Sequence, residues 1–113
     1  MGDTSPKMQS VKHWPGRSDE APEISVLIPC WHGEQTIAGA LDSVEAQTGL
    51  PQGFGIEMVV VVDGRQEDAL AVEEWIQRCG ETRRSALTLV QLAFNAGAGA
   101  ARQLGYDFCK GQF

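Results

Sequence analysis

The sequence predicts an α/β fold, a parallel sheet with helices packed on both faces. Three observations carry that expectation. Short apolar runs recur at 24–29 (ISVLIP), 56–62 (IEMVVVV) and 86–94 (ALTLVQLAF). Each is followed by a stretch whose apolar residues recur at helical rather than alternating spacing. The runs themselves are apolar at consecutive positions, which marks strands buried on both faces. The chain therefore reads β-α-β-α-β-α, Rossmann-like, with right-handed crossovers and the strands in spatial order third, second, first.

The helices follow from the same periodicity. After the first run, Ile37, Leu41 and Val44 fall on one face at i, i+4 and i+7. After the second, DALAVEEWIQRC places Val72, Trp75, Ile76 and Cys79 on one stripe. After the third, GAGAARQLGYDFC aligns Ala101, Leu104 and Phe108. Residues 1–22 differ: they are polar, hold three of the five prolines and show no sustained period, so they are expected to be a flexible leader. His13 and Trp14 are its only candidates for packing back onto the domain, which occupies 23–113.

Composition narrows the function. A 113-residue chain suffices for one domain. The formal net charge of −6, with no Lys/Arg stripe to offset it, argues against nucleic acid or anionic lipid as the main partner. Three widely spaced cysteines (Cys30, Cys79, Cys109) without a CxxC pair fit neither a disulfide framework nor a zinc site, which favours a reducing cytoplasmic setting. No stretch approaches the roughly 18 apolar residues of a membrane span, and the first 23 residues lack the apolar segment of a signal peptide. The chain is expected to be soluble, although its parent could be membrane-associated.

In such folds ligands bind at the carboxyl ends of the strands, so the loops at 29–34, 63–68 and 95–99 are the places to look. In the first, Pro29, Trp31 and Glu34 stand out. An exposed indole can stack on a nucleobase, worth about 1–3 kcal/mol, or simply pack on the helix, and Glu34 can serve a ligand or the helix dipole. In the second, Asp63 follows four valines and can accept a hydrogen bond from a base or ribose; its alternative role is a helix cap, for which Glu67 and Asp68 are better placed. In the third, Gly97 and Gly99 open a helix where backbone amides could approach a phosphate. Arg102 stands where a dinucleotide fingerprint would have its third glycine, which disfavours a Rossmann dinucleotide site. Arg102 is either a nucleotide contact or a solvated helix arginine. Cys30 has no base placed to activate it and reads as a small buried residue rather than a nucleophile.

Taken together the three loops resemble the amino-terminal half of the family 2 glycosyltransferases, which have the GT-A fold. ISVLIPCWHGEQTIAGALDSVEAQT is similar to the family's strand-PxYNxE-helix opening, EMVVVVDGRQED to its EIIVVDDGSTD, and NAGAGAARQLG to its N.G...ARN.G. The resemblance covers 23–113 and implies transfer of a sugar, with inversion, from a nucleotide-diphosphate sugar, UDP-sugars foremost, with a divalent metal (Mg or Mn). It implies that Pro29 and Trp31 border the base, that Glu34 is the acid of that loop, and that Asp63 contacts the base. Asn95, Gly97, Gly99 and Arg102 would lie near the nucleotide. His32 replaces the usual asparagine and has no role assigned.

Three departures qualify the match. Val62 replaces the first aspartate of a pair, and Arg65 replaces a serine. The chain also stops at KGQF, with Phe113 as its last residue, where the family begins a fourth strand leading to its metal motif. The general base comes later still, so catalytic residues and metal ligands are expected only beyond Phe113. The expectation is a donor-nucleotide-binding portion of a GT-A domain, truncated before the fourth strand and inactive alone. Its first strand would then be an open edge inviting self-association. The alternative is a stand-alone nucleotide-binding or regulatory module.

Overall fold

The computed structural model describes residues 8–16, 24–47, 55–80, 83, 85–93 and 98–110. Strands β1 (Met8–Trp14), β2 (Ile24–Cys30), β3 (Ile56–Val62) and β4 (Ala86–Leu92) alternate, after β1, with helices α1 (Ile37–Gln47), α2 (Gln66–Cys79) and α3 (Ala98–Tyr106). The sheet has the order β1-β4-β3-β2, with β2, β3 and β4 parallel and β1 antiparallel to β4.

Strand β1 is the departure from expectation. Residues 8–14 lie inside the segment read as a flexible leader, yet they pair with β4 from Met8↔Leu92 to Trp14↔Leu87. The physical reason is that β4 would otherwise present an unpaired edge. Side chains reinforce the pairing: His13 Nδ1 lies 2.9 Å from Thr88 Oγ1, Lys12 pairs with Glu73 on α2, and Trp14 packs against the core. The Arg83 guanidinium then ties the two ends together, donating to the carbonyl oxygens of Ser85 (2.7 Å) and Pro15 (3.2 Å).

The alternation of side chains along each strand divides the core in two. On one face Met58, Val60, Val62, Leu87 and Leu89 pack under α1 and α2 with Leu41, Val72 and Trp75. Trp75 is buried with its indole N–H donating to Asp42 Oδ1 at 2.7 Å, so its polar atom is satisfied. On the other face Val59, Val61, Val90 and Leu92 pack under α3 through Ala101, with Leu104 and Phe108 at the margin. Phe108 lies just beyond the last turn of α3, which ends two residues earlier than its apolar spacing suggests.

Within the described residues β2 has one neighbour and stands at the end of the sheet. Ile24 N–H bonds Gly55, and Cys30 C=O accepts from Asp63, so even-numbered residues of β2 face β3. Ser25, Leu27 and Pro29 therefore turn their backbone groups outward. Pro29 offers no N–H there, as prolines in sheets generally do at edges.

Candidate functional site

The site is assembled where β2 and β3 end side by side. Asp63 N–H donates to Cys30 C=O at 3.0 Å, which stitches the first residue after β3 to the last of β2. From there the chain 31–36 turns back: Gly33 C=O accepts from Thr36 (3.0 Å) and Ile37 (2.8 Å) and so starts α1. A side chain at Gly33 would be crowded, since its Cβ would meet Cys30 Sγ at 2.8 Å. His32 takes φ 56°, a left-handed conformation uncommon for a residue with a side chain.

Asp68 holds that turn. It lies in the first turn of α2, fully buried, and its carboxylate accepts the backbone N–H of His32 (3.0 Å, Oδ2) and of Gly33 (2.9 Å, Oδ1). Rather than capping its own helix, it satisfies two amides that the left-handed turn would leave without a protein acceptor. Burial, and then hydrogen bonding with the Glu34 side chain, raise its carboxyl above the ordinary range, while the two amides work the other way.

Arg65 joins the two loops. Its backbone is extended at the start of α2, and its guanidinium reaches back across the crevice. Nη1 and Nη2 fork onto Glu34 Oε2 (2.9 Å) and Oε1 (3.3 Å), the bidentate geometry characteristic of arginine and carboxylate. Nη1 also lies 2.6 Å from His32 Nδ1; because arginine only donates, that ring nitrogen is the acceptor. The guanidinium carbon sits 5.9 Å from the centroid of the Trp31 ring, within cation–π range. Trp31 itself is 47% exposed and meets His32 edge-on, with ring centroids 4.4 Å apart at 85°.

Of the residues singled out from the sequence, Trp31 and Glu34 thus belong to one connected group. Pro29 precedes it on the half-buried β2, and Asp63 is buried at the adjoining tip of β3. Gly99 and Arg102 are on α3, across the sheet, where they line a depression of about 370 Å³ with Leu27, Gln103 and Tyr106. Asn95 and Gly97 lie outside the described residues. So does Phe113, and with it the expectation that catalytic groups lie beyond that residue. Sequence reading missed Arg65 and Asp68 as site residues and left His32 without a role. The available signal was position: both 65 and 68 fall in the window that lines the crevice after the second strand.

Cys30 is inert by environment. Burial, followed by the nearby Asp68 charge, pushes its thiol from 9.0 up to about 11, so thiolate is scarce at neutral pH. No disulfide joins the three cysteines, and the Cys109 thiol donates to Gly105 C=O at 3.5 Å. Among the described residues no three His, Cys, Asp or Glu side chains are grouped to hold a metal ion. The carboxylates nearest the crevice are occupied, Glu34 by Arg65 and Asp68 by backbone amides. Among the described residues of the crevice a divalent metal therefore finds no fitting ligand set.

An aromatic, a guanidinium and carboxylates thus gather at the carboxyl ends of adjoining strands, the place where α/β folds of this class generally bind ligands. The glycosyl transferase family 2 model matches residues 25–113, and the chain belongs to that family. Membership supports a glycosyltransferase function in general. No match was found among curated proteins. None of the described helices is long and apolar enough to cross a membrane.

Proposed function

We propose that this chain is the donor-binding portion of an inverting glycosyltransferase that uses a nucleotide-diphosphate sugar, UDP-sugars foremost, on the cytoplasmic side of the cell. The observation that carries the reading is the pairing of Trp31 with Asp63. The Cys30–Asp63 backbone bond holds the loop with the exposed indole beside the strand tip with the buried carboxylate. The indole supplies a flat wall for the base, bordered by Pro29, and Asp63 accepts a hydrogen bond from it. Glu34 serves the sugar hydroxyls, while Asn95, Gly97, Gly99 and Arg102 approach the nucleotide from the third loop.

In this reading Mg or Mn and a general base supply the transfer chemistry, and the residues named above serve donor binding. Calorimetric titration with UDP and GDP tests it. Trp31→Ala is expected to weaken binding about 5- to 150-fold, the range a stacked base gives, and Asp63→Ala to weaken it as well. Nucleotide binding unchanged in both variants overturns the pocket.

Among the described residues β2 has a strand on one side only, which supports a further part of the proposal, self-association through its other side. Light scattering over the micromolar range is expected to show a species heavier than 12.2 kDa. A monomer throughout would overturn it.

A further inference from the structure

One face of the Trp31 ring is already covered, by Arg65. A ring stacked on the indole and also covered by the guanidinium needs about 7 Å between them, twice the van der Waals separation of carbon atoms. The Arg65 guanidinium carbon is 5.9 Å from the ring centroid, so nothing aromatic fits between. Arg65 is also held in place, by both oxygens of Glu34 and by His32 Nδ1, and its side chain is only 19% exposed. The resting crevice thus contains an internal counterpart of a ligand. A planar delocalised cation lies against the aromatic wall, and a carboxylate fills the anion position on that cation.

We propose that Arg65 is a specificity-determining residue that makes the phosphates of the nucleotide a condition for stacking of its base on Trp31. A base reaches that face of Trp31 only by moving Arg65 off it. A nucleoside offers the displaced guanidinium nothing in exchange for Glu34. A nucleoside diphosphate offers both replacements at once, a ring for Trp31 and a diphosphate for the arginine fork. It also leaves Glu34 free to accept from a sugar hydroxyl. The serine usual at this position in the motif has neither the charge nor the reach for this exchange. The inference rests on the donor-nucleotide reading above.

The test compares UDP with uridine, and GDP with guanosine, by calorimetry on the full 113-residue chain. Wild type is expected to prefer the diphosphate strongly. In Arg65→Ser, uridine or guanosine should bind several-fold more tightly and the diphosphate more weakly, so that the preference falls at least tenfold. Serine is favoured at the start of a helix, so this variant retains α2. Arg65→Lys keeps the charge without the planar fork, and is expected to retain diphosphate binding while admitting the nucleoside. Acrylamide quenching of Trp31, isolated by difference against Trp31→Phe, should rise in Arg65→Ser without any ligand. Unchanged preference with diphosphate still binding overturns the role of Arg65 alone, as does unchanged quenching. Failure of every nucleotide to bind wild type and variants overturns the donor reading and this proposal with it.

Discussion

Strands β2 and β3 are neighbours of seven residues each, both rich in apolar side chains, yet they live in different environments. β3 is buried from Glu57 to Val62, whereas β2 is half-exposed from Ile24 to Pro29 and closes over only at Cys30. The difference is positional. β3 has a strand on each side and helices on both faces, while β2 has one neighbour among the described residues. Apolar content specifies a strand; the count of neighbours decides how much each side chain stabilises the fold.

The sharpest way to break that comparison is a pair of truncations in register. Met58 and Val26 are directly paired across the two strands. Met58→Ala, in a fully buried site, is expected to cost about 2–5 kcal/mol. Val26→Ala, on the half-exposed strand, should cost about 1 kcal/mol. Urea unfolding of both variants measures the difference, and equal losses would mean that β2 is as well covered as β3.

The next effect concerns how α3 clasps the edge. A Cβ at Gly105 would lie 2.4 Å from Leu27 Cδ1 and 2.7 Å from Val61 Cγ2. Gly105→Ala is therefore expected to destabilise by about 1–3 kcal/mol through overpacking, despite the better helix propensity of alanine. Because Leu27 sits on the half-exposed strand, Leu27→Ala should relieve part of that cost. A double variant less destabilised than the sum of the singles confirms the clash; strict additivity would place it elsewhere.

A comparable loss is expected at the crevice. Asp68→Ala leaves the His32 and Gly33 amides without their acceptor, a cost of about 1–3 kcal/mol partly offset by removing a buried charge. Asp68→Asn keeps one acceptor oxygen and should lie between. If Asp68→Ala unfolds at the wild-type urea midpoint, the turn does not depend on this carboxylate.

The same contrast explains what the sequence made legible. The apolar runs at 24–29, 56–62 and 86–94 and the stripes Ile37/Leu41 and Val72/Trp75/Ile76 could be read because burial imposes a period on the chain. β1 could not, because pairing at one edge needs little apolar content: within 9–14 only Ser10 and Trp14 are half-buried, and His13 and Lys12 act through single polar contacts. At the crevice, Trp31 and Glu34 were legible from the loop they share. Asp68 was not, since an acid in the first turn of a helix has an ordinary explanation in the helix dipole. Its actual partners lie 35 and 36 residues away in sequence, on another loop. Arg65 was likewise visible only as a departure from a motif; its grip on Glu34 and its position against Trp31 exist only once β2 and β3 are side by side.

The smallest expected effect separates the two carboxylates of the crevice by pH. Glu34 is held below its ordinary 4.5, first by its own backbone N–H, then by hydrogen bonding with Asp68 and with Arg65. A carboxyl lowered in the folded state stabilises above its unfolded value, and the benefit disappears as pH falls through the folded value. Asp68, raised above 3.8 chiefly by burial, has the opposite sign: its charge costs stability at neutral pH, and that cost is relieved as pH falls through the raised value. Glu34→Gln therefore should be less stable than wild type near neutrality, by a small margin because the pair is at the surface. The gap should close as pH falls below the ordinary glutamate range, where wild-type Glu34 is itself protonated. Urea midpoints of both proteins between about pH 3 and 7 measure it, and a gap constant across that range would show that the Glu34 charge contributes nothing to holding Arg65 against Trp31.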